Sequence, residues 1–159
     1  MQELLPLAER IGALLKERQE TIAVAESSSG GLISAALLAV PGASAYFLGG
    51  GVVYTGRALK QLLGIDRTQM TGMRSSSEPY ASFLANTVRE RFRTTWGISE
   101  TGAAGPTGNP YGDAAGHSCM ALSGPVERVL TLETASPDRV ANMRAFAKTA
   151  LELLLKEIG

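Results

Sequence analysis

The sequence has few of the residue types that build many functional sites. Of its 159 residues, one is a cysteine, Cys119, and one is a histidine, His117. A single cysteine excludes a disulfide within the chain and a zinc site made of several cysteines, and it is typical of a reducing compartment, so we expect a cytoplasmic protein. A single histidine limits nucleophilic catalysis to at most one serine–histidine pair.

Net charge and long apolar runs are also lacking. Fifteen basic side chains balance fifteen acidic ones, so the formal net charge is zero. Such a composition gives no support for a nucleic-acid partner, which needs a clustered basic surface. The first twenty residues are amphipathic, but charges interrupt them throughout. They therefore form neither a signal peptide nor a membrane span, and we expect no membrane partner.

What the sequence does contain is an alternation of helical and extended patterns. A length of 159 residues with 45% hydrophobic composition suits one compact domain over residues 1–159. Amphipathic helices are predicted at both ends and after the N-cap Ser77, and strands are predicted at 21–25, 49–56, 94–101 and within 117–134. This order predicts an α/β fold, a three-layer α/β/α sandwich with a mixed sheet covered by helices on both faces.

The most unusual turn follows the first predicted strand, where "AESSSGG" places three serines and two glycines before a helix. Ligands of open α/β sheets collect at this end of the strands. Gly30 and Gly31 would let the backbone approach a ligand, and the free N–H groups of the helix would attract an anion. The turn therefore predicts a site for a phosphate or an oxyanion, although a well-capped turn without function explains it equally well. Neither the lysine of a P-loop nor the spacing GxGxxG is present.

A second unusual segment runs from Gly102 to Gly116, with five glycines and two prolines in fifteen residues. This composition predicts a loop, and long loops in compact domains are often functional. The two glycine-rich turns are therefore expected to form one concave site, a surface excursion being the alternative. A serine nucleophile there would need a base. His117 begins a predicted strand, where a packing role is favoured. Lys60 is the lysine nearest the strand ends, and its alternative is a solvated surface lysine.

Four motifs, in the right order and spacing, carry a family resemblance. "AESSSGG", "PGASAYFLGGGVVYTGRALKQLLGI", "SEP" and "TGAAGPTG" resemble the C-terminal domain of the competence/damage-inducible protein CinA, whose stand-alone relatives include nicotinamide mononucleotide amidohydrolase. The resemblance covers nearly the whole chain. It implies a three-layer α/β/α domain, usually oligomeric, that hydrolyses the carboxamide of nicotinamide mononucleotide to nicotinate mononucleotide and ammonia without a metal or another cofactor. The N-terminal domain of larger CinA proteins is not expected in this chain.

The resemblance also implies roles for individual residues. Ser27 falls on the family's serine and is expected to be the nucleophile, and Tyr54 falls on a tyrosine that lines the site and orients the amide. The expected substrate-binding residues lie in the serine turn, the long loop and a late arginine pair suited to phosphate: Ser28, Ser29, Gly30, Gly31, Gly102, Ala104, Gly105, Arg139 and Arg144. For the two arginines a solvated helix face is the alternative. The implied partners are a small-molecule nucleotide, nicotinamide mononucleotide first, and further copies of the chain in a homo-oligomer.

The sequence departs from the family pattern at a position that matters for catalysis. Aligning Tyr54 and Gly64 with the family puts Leu59 where the family has a lysine and leaves Lys60 one residue late. One residue on a helix turns a side chain by about a quarter to a third of a revolution. Two functions stay open: an amidase in which Lys60 supplies the base, or a nucleotide-binding protein that has lost amide hydrolysis. Asp113 replaces another family lysine and is expected to weaken the attraction of a phosphorylated substrate.

Overall fold

The computed structural model describes every residue from Met1 to Gly159. The chain forms five α-helices: α1 (Leu5–Arg18), α2 (Leu32–Leu38), α3 (Gly56–Leu63), α4 (Glu78–Phe92) and α5 (Arg139–Ile158). It also forms five strands: β1 (Ile22–Glu26), β2 (Phe47–Val52), β3 (Trp96–Ala103), β4 (His117–Ser123) and β5 (Arg128–Glu133). Two short 3₁₀ helices lie at Ala43–Ala45 and Arg67–Met70. No helix combines the length and the apolar composition that crossing a membrane requires.

The strands form one mixed sheet in the order β2-β1-β3-β4-β5. β1 runs parallel to both β2 and β3, whereas the pairs β3–β4 and β4–β5 are antiparallel. The carboxyl ends of β1, β2 and β3 therefore lie at one edge of the sheet. This is the edge at which open α/β sheets bind ligands.

Helices cover both faces of the sheet. Helices α1, α2 and α5 pack on one face, around a cluster of 25 buried apolar residues that includes Ile22 and Val24. Helices α3 and α4 pack on the other face, against Ala23 and Ala25. Because successive side chains of a strand point to opposite faces, β1 contributes to both cores and is buried throughout. The predicted three-layer α/β/α sandwich with a mixed sheet is confirmed.

The first three strands begin and end one to four residues away from the predicted bounds. β2 occupies Phe47–Val52 instead of 49–56, because Thr55 already serves as the N-cap of α3 and accepts a hydrogen bond from the N–H of Ala58 at 3.1 Å. β3 continues through Gly102 and Ala103, which were predicted to be loop residues, because both pair with β4. The predicted N-cap of α4 is confirmed, since the Ser77 hydroxyl accepts from the first turn of that helix.

Candidate functional site

Two buried glutamates hold the serine turn that joins β1 to α2. Glu26 ends β1, Glu100 lies in the neighbouring strand β3, and neither residue has any exposed surface. Neither carboxylate takes part in a salt bridge. Burying a carboxylate is costly unless donors satisfy its oxygens. Here those donors come from the turn, from α2 and from β4.

Glu26 caps the N-terminus of α2. Its carboxylate accepts hydrogen bonds from the backbone N–H groups of Gly31, Ile33 and Ser34 at 3.2, 2.9 and 2.9 Å, and from the Ser29 hydroxyl at 2.7 Å. The first N–H groups of a helix otherwise lack partners and attract anions. The chain's own carboxylate thus occupies this position. The expectation that these N–H groups are free for a ligand is wrong.

Glu100 holds the preceding part of the same turn. Its Oε2 accepts from the N–H groups of Ser27 and Ser29 at 3.1 and 2.8 Å. Its Oε1 accepts from the hydroxyls of Ser28 and Ser118 at 2.5 and 2.9 Å. The hydroxyls of Ser28 and Ser29 therefore both donate to buried carboxylates, and both serines are themselves buried. Among the three serines of the turn, only Ser27 has a hydroxyl with no hydrogen bond inside the chain.

Gly30 and Gly31 serve the conformation of the turn. Their φ angles are +66° and +98°, in the left-handed region that residues with a Cβ rarely adopt. A Cβ on Gly30 would also lie 2.8 Å from the Met143 side chain of α5. Neither glycine lines the cavity that Ser27 lines. The structure thus places both glycines in the turn itself and away from that cavity.

The Ser27 cavity, as we call it below, lies at the carboxyl edge of the sheet. Its volume is about 610 Å³, which is in the range of small-ligand sites. The chain leaving each of the three parallel strands contributes to it: Ser27 after β1, Tyr54 after β2 and Gly102 at the end of β3. The structure therefore brings together three residues that the sequence analysis had placed in one site. Most of the remaining wall comes from α3, the 3₁₀ helix at 67–70, the segment before α4, Tyr80 of α4, and Asn109 and Tyr111 of the long loop.

Leu59, the position at which the family resemblance implies a lysine, faces the Ser27 cavity. Leu59 lines the cavity and is 1% exposed. The Lys60 side chain is 64% exposed, lines an adjoining cleft and places its Nζ 3.8 Å from Asp66 Oδ2. The structure does not bring Lys60 to Ser27. The cavity wall contains no lysine, histidine, aspartate or glutamate. The Glu100 carboxylate next to Ser27 already accepts four hydrogen bonds, so the site offers no free general base near neutral pH.

The arginine pair expected to clamp phosphate is divided between two places. Arg139, the first residue of α5, donates to the Gly105 carbonyl at 2.5 Å and to the Tyr54 hydroxyl at 3.5 Å, so it braces the long loop against the rim of the Ser27 cavity. Arg144 lies in a separate cleft with the first residues of the chain. Ala104 is buried in the larger core, and its carbonyl accepts a hydrogen bond from Asn142.

Two arginines that the sequence analysis did not single out, Arg67 and Arg74, line the Ser27 cavity. Arg74 forms a bidentate pair with Asp113 of the long loop, with N–O distances of 2.7 and 3.1 Å. The hydrogen bond from Arg74 holds the pKa of Asp113 below its usual value. The expectation that Asp113 weakens the attraction of a phosphate is therefore not supported, because Arg74 neutralises it.

His117 positions the segment that precedes α4. Its Nε2 lies 2.7 Å from the carbonyl of Ser76, a cavity-lining residue, and its Nδ1 contacts a carboxylate oxygen of Glu133. Both partners are acceptors, so only a doubly protonated ring donates to both. Burial lowers the pKa of His117, but the hydrogen bonds to Glu133 and Ser76 and the charge of Asp113 outweigh it, so the pKa is raised above 6.5. His117 itself does not line the cavity.

Sequence reasoning missed the two buried glutamates, although one signal was present. Glu26 directly follows a predicted strand and Glu100 lies within one, and each stands directly before a hydroxyl residue, as "AVAESSSGG" and "GISETGAAG" show. A buried carboxylate needs several donors, and for Glu26 the start of the following helix supplies three of them. No signal of this kind marks Arg67 and Arg74. No three histidine, cysteine, aspartate or glutamate side chains come together as a set of metal ligands.

Comparisons with known proteins agree with these motifs. A family model described as the CinA C-terminal domain matches residues 4–158. A CinA-like protein from Cyanothece sp. is 44% identical over 119 residues, which is 75% of this chain and 28% of that protein. A CinA-like protein from Desulforapulum autotrophicum is 36% identical over 158 residues, 99% of this chain and 37% of that protein. The chain thus spans about a third of the length of the curated relatives it matches.

Solved structures show the same fold. The competence/damage inducible protein CihA from Agrobacterium tumefaciens has a TM-score of 0.86 at 29% identity, over 97% of this chain and 94% of that chain. A CinA superfamily protein from Escherichia coli has a TM-score of 0.89 at 24% identity, over 97% of this chain and 90% of that chain. At 24% identity, the similarity to the Escherichia coli protein supports the fold only.

Replacing Glu26 by glutamine should destabilise the protein. Glutamine presents a donor where the carboxylate accepts, so at least one of the four groups around it loses its acceptor. We expect the free energy of unfolding, measured in urea, to fall by about 2–4 kcal/mol. The same exchange at the exposed Glu152 of α5 is the matched control and should cost less than about 0.5 kcal/mol. Equal stability of the two variants would show that Glu26 does not hold the turn.

The contribution of His117 to stability should depend on pH. Because its pKa in the folded protein is raised above 6.5, the stabilisation is fully present below pH 6.5 and is lost as the pH rises through the folded value. The melting temperature of His117→Gln should therefore lie further below that of the wild type at about pH 6 than at about pH 9.5. A difference that stays constant over this range would mean that the histidine is not held in its charged form.

Proposed function

Because the chain belongs to the CinA C-terminal domain family, we propose that it binds a phosphorylated pyridine nucleotide in the Ser27 cavity and hydrolyses the ligand's amide weakly or not at all. Nicotinamide mononucleotide is the first candidate ligand. One observation carries the proposal: the cavity contains the family's serine, but Leu59 fills the lysine position and Lys60 lines another cleft.

The chemistry of the cavity wall supports binding. Tyr54, Tyr80 and Tyr111 line the cavity, and aromatic faces suit a pyridine ring. The guanidinium group of Arg67 has no ion-pair partner in the chain, and its planar fork matches the oxygens of a phosphate. The cavity therefore offers a ring-binding side and an anion-binding side.

The missing base limits catalysis. A positioned general base contributes a factor of typically 10²–10⁴ to a rate. Leu59 cannot accept a proton, and the arginines stay protonated. The amide hydrolysis of this protein should therefore be slower by about 10²–10⁴ than that of a relative that has the lysine.

A working amidase is the second candidate, and one observation favours it. The Ser27 hydroxyl is free of hydrogen bonds within the chain, while its backbone N–H is anchored on Glu100 at 3.1 Å, which is the arrangement expected of a fixed nucleophile. Lys60 is held only by an exposed contact of 3.8 Å with Asp66, and exposed pairs of this kind contribute little. A movement of α3 that brings Lys60 into the cavity would supply the base.

Restoring the lysine tests the proposal. In Leu59→Lys an amine replaces an apolar side chain in the cavity wall, and burial there favours its neutral, proton-accepting form. We expect ammonia release from nicotinamide mononucleotide to rise by about 10²–10⁴ over the wild type. Leu59→Met is the matched control, since it keeps a long side chain without a base. The gain should disappear when Ser27→Ala is combined with Leu59→Lys.

Two further measurements separate the candidates. Calorimetric titration of the wild type with nicotinamide mononucleotide should show binding, and its absence would contradict the proposal. Lys60→Ala should leave the small wild-type rate unchanged. Rapid turnover by the wild type that is lost in Lys60→Ala would replace the proposal with the second candidate.

A further inference from the structure

The Ser27 cavity adjoins a second cleft, which we call the α3 cleft. The α3 cleft lies between the first turns of α3 and the 3₁₀ helix at 67–70, and its volume is about 550 Å³. The two spaces share part of their walls: Thr55, Gly56, Leu59, Arg67 and Met70. Each space alone is within the range of about 300–1,000 Å³ that is usual for a small ligand. A mononucleotide in the Ser27 cavity would therefore leave the α3 cleft free.

The α3 cleft is positively charged, although the chain as a whole is neutral. Arg57, Lys60 and Arg67 line it, and Asp66 is the one acidic residue among its lining residues, so three cations face one carboxylate and leave a net charge of +2. The Lys60–Asp66 contact is long and exposed. Arg57 and Arg67 form no ion pair with any carboxylate of the chain. No contact within the protein accounts for this excess of positive charge.

Arg67 stands where the two spaces meet. It lines both of them, and a Cβ on Gly56 would lie 3.8 Å from its Nε and from one terminal nitrogen. The guanidinium group therefore lies beside the backbone at the start of α3. The other arginine of the Ser27 cavity, Arg74, is already bound to Asp113. Arg67 is thus the cation available to an anion at the junction.

We propose that the ligand carries two linked phosphates, as a nucleoside diphosphate or a dinucleotide does, with its ring in the Ser27 cavity, one phosphate at Arg67 and the other in the α3 cleft between Arg57 and Lys60. The placement of the ring rests on the proposed function. Guanidinium and ammonium groups bind phosphate oxygens through charge-assisted hydrogen bonds. Arg57 and Lys60 then determine whether the protein prefers a ligand with two phosphates to one with a single phosphate.

Calorimetric titration with nicotinamide mononucleotide and with nicotinamide adenine dinucleotide tests this inference, because the two probes share one end and differ in the second phosphate and the attached adenosine. We expect the wild type to bind the dinucleotide at least about tenfold more tightly. The preference should decrease as the salt concentration rises. In the double variant Arg57→Gln, Lys60→Gln the preference should vanish, because the affinity for the dinucleotide falls by at least about tenfold more than the affinity for the mononucleotide.

The matched control removes two charges from the opposite face of the protein. Arg10 and Arg18 are exposed on α1, and Arg10→Gln with Arg18→Gln should keep the full preference. Equal affinities of the wild type for both probes, or a preference that survives in the double variant of the α3 cleft, would overturn the inference. Neither result would affect the proposed function, because mononucleotide binding is measured separately. Failure to bind either probe would overturn both.

Discussion

The structure of the site depends on one constraint, the burial of Glu26 and Glu100 in neighbouring strands. Each carboxylate accepts four hydrogen bonds, and together they engage the turn, the first amides of α2 and Ser118 of β4. An unsatisfied buried carboxylate would cost several kcal/mol, so the turn has little freedom to change shape. This fixed turn leaves the Ser27 hydroxyl as the one serine oxygen of the turn that is available to a ligand.

This constraint also decides where the charge for a ligand comes from. A glycine-rich turn at a helix N-terminus is a common anion site, but here Glu26 already fills it. The proposed phosphate would therefore have to find its cations elsewhere in the wall. Arg67 of the 3₁₀ helix lines the Ser27 cavity, and Arg57 at the start of α3 lines only the adjoining α3 cleft. The turn thus presents the Ser27 hydroxyl, and Arg67 is the free cation of the same cavity.

The sequence predicted the fold because the fold follows from local patterns. The apolar run of β1 and the cap at Ser77 are each readable within a few residues. The rotation of Lys60 away from the lysine position was also readable, because one residue on a helix turns a side chain by about a quarter to a third of a revolution. The structure accordingly buries Leu59 and leaves Lys60 exposed. The hydrogen bond from Ser28 to Glu100 could not be predicted from the sequence, because it joins residues that are 72 positions apart and depends on the order of the strands in the sheet. Arg67 and Arg74 lie outside the α-helices and strands, where no periodicity indicates their direction.

The distribution of charge supports the proposal that the protein binds its ligand more effectively than it hydrolyses it. Catalysis requires interactions that are stronger in the transition state than in the bound ground state. In this protein the free cations lie in and beside the α3 cleft, where they would contact the ligand's phosphates, whose charge does not change when an amide is attacked. Such contacts lower the free energies of the bound ground state and of the transition state equally, so they increase the affinity without increasing the rate of the bound complex. Acceleration would have to come from a base that reaches Ser27, and the position in the cavity wall where the family resemblance implies a lysine holds Leu59.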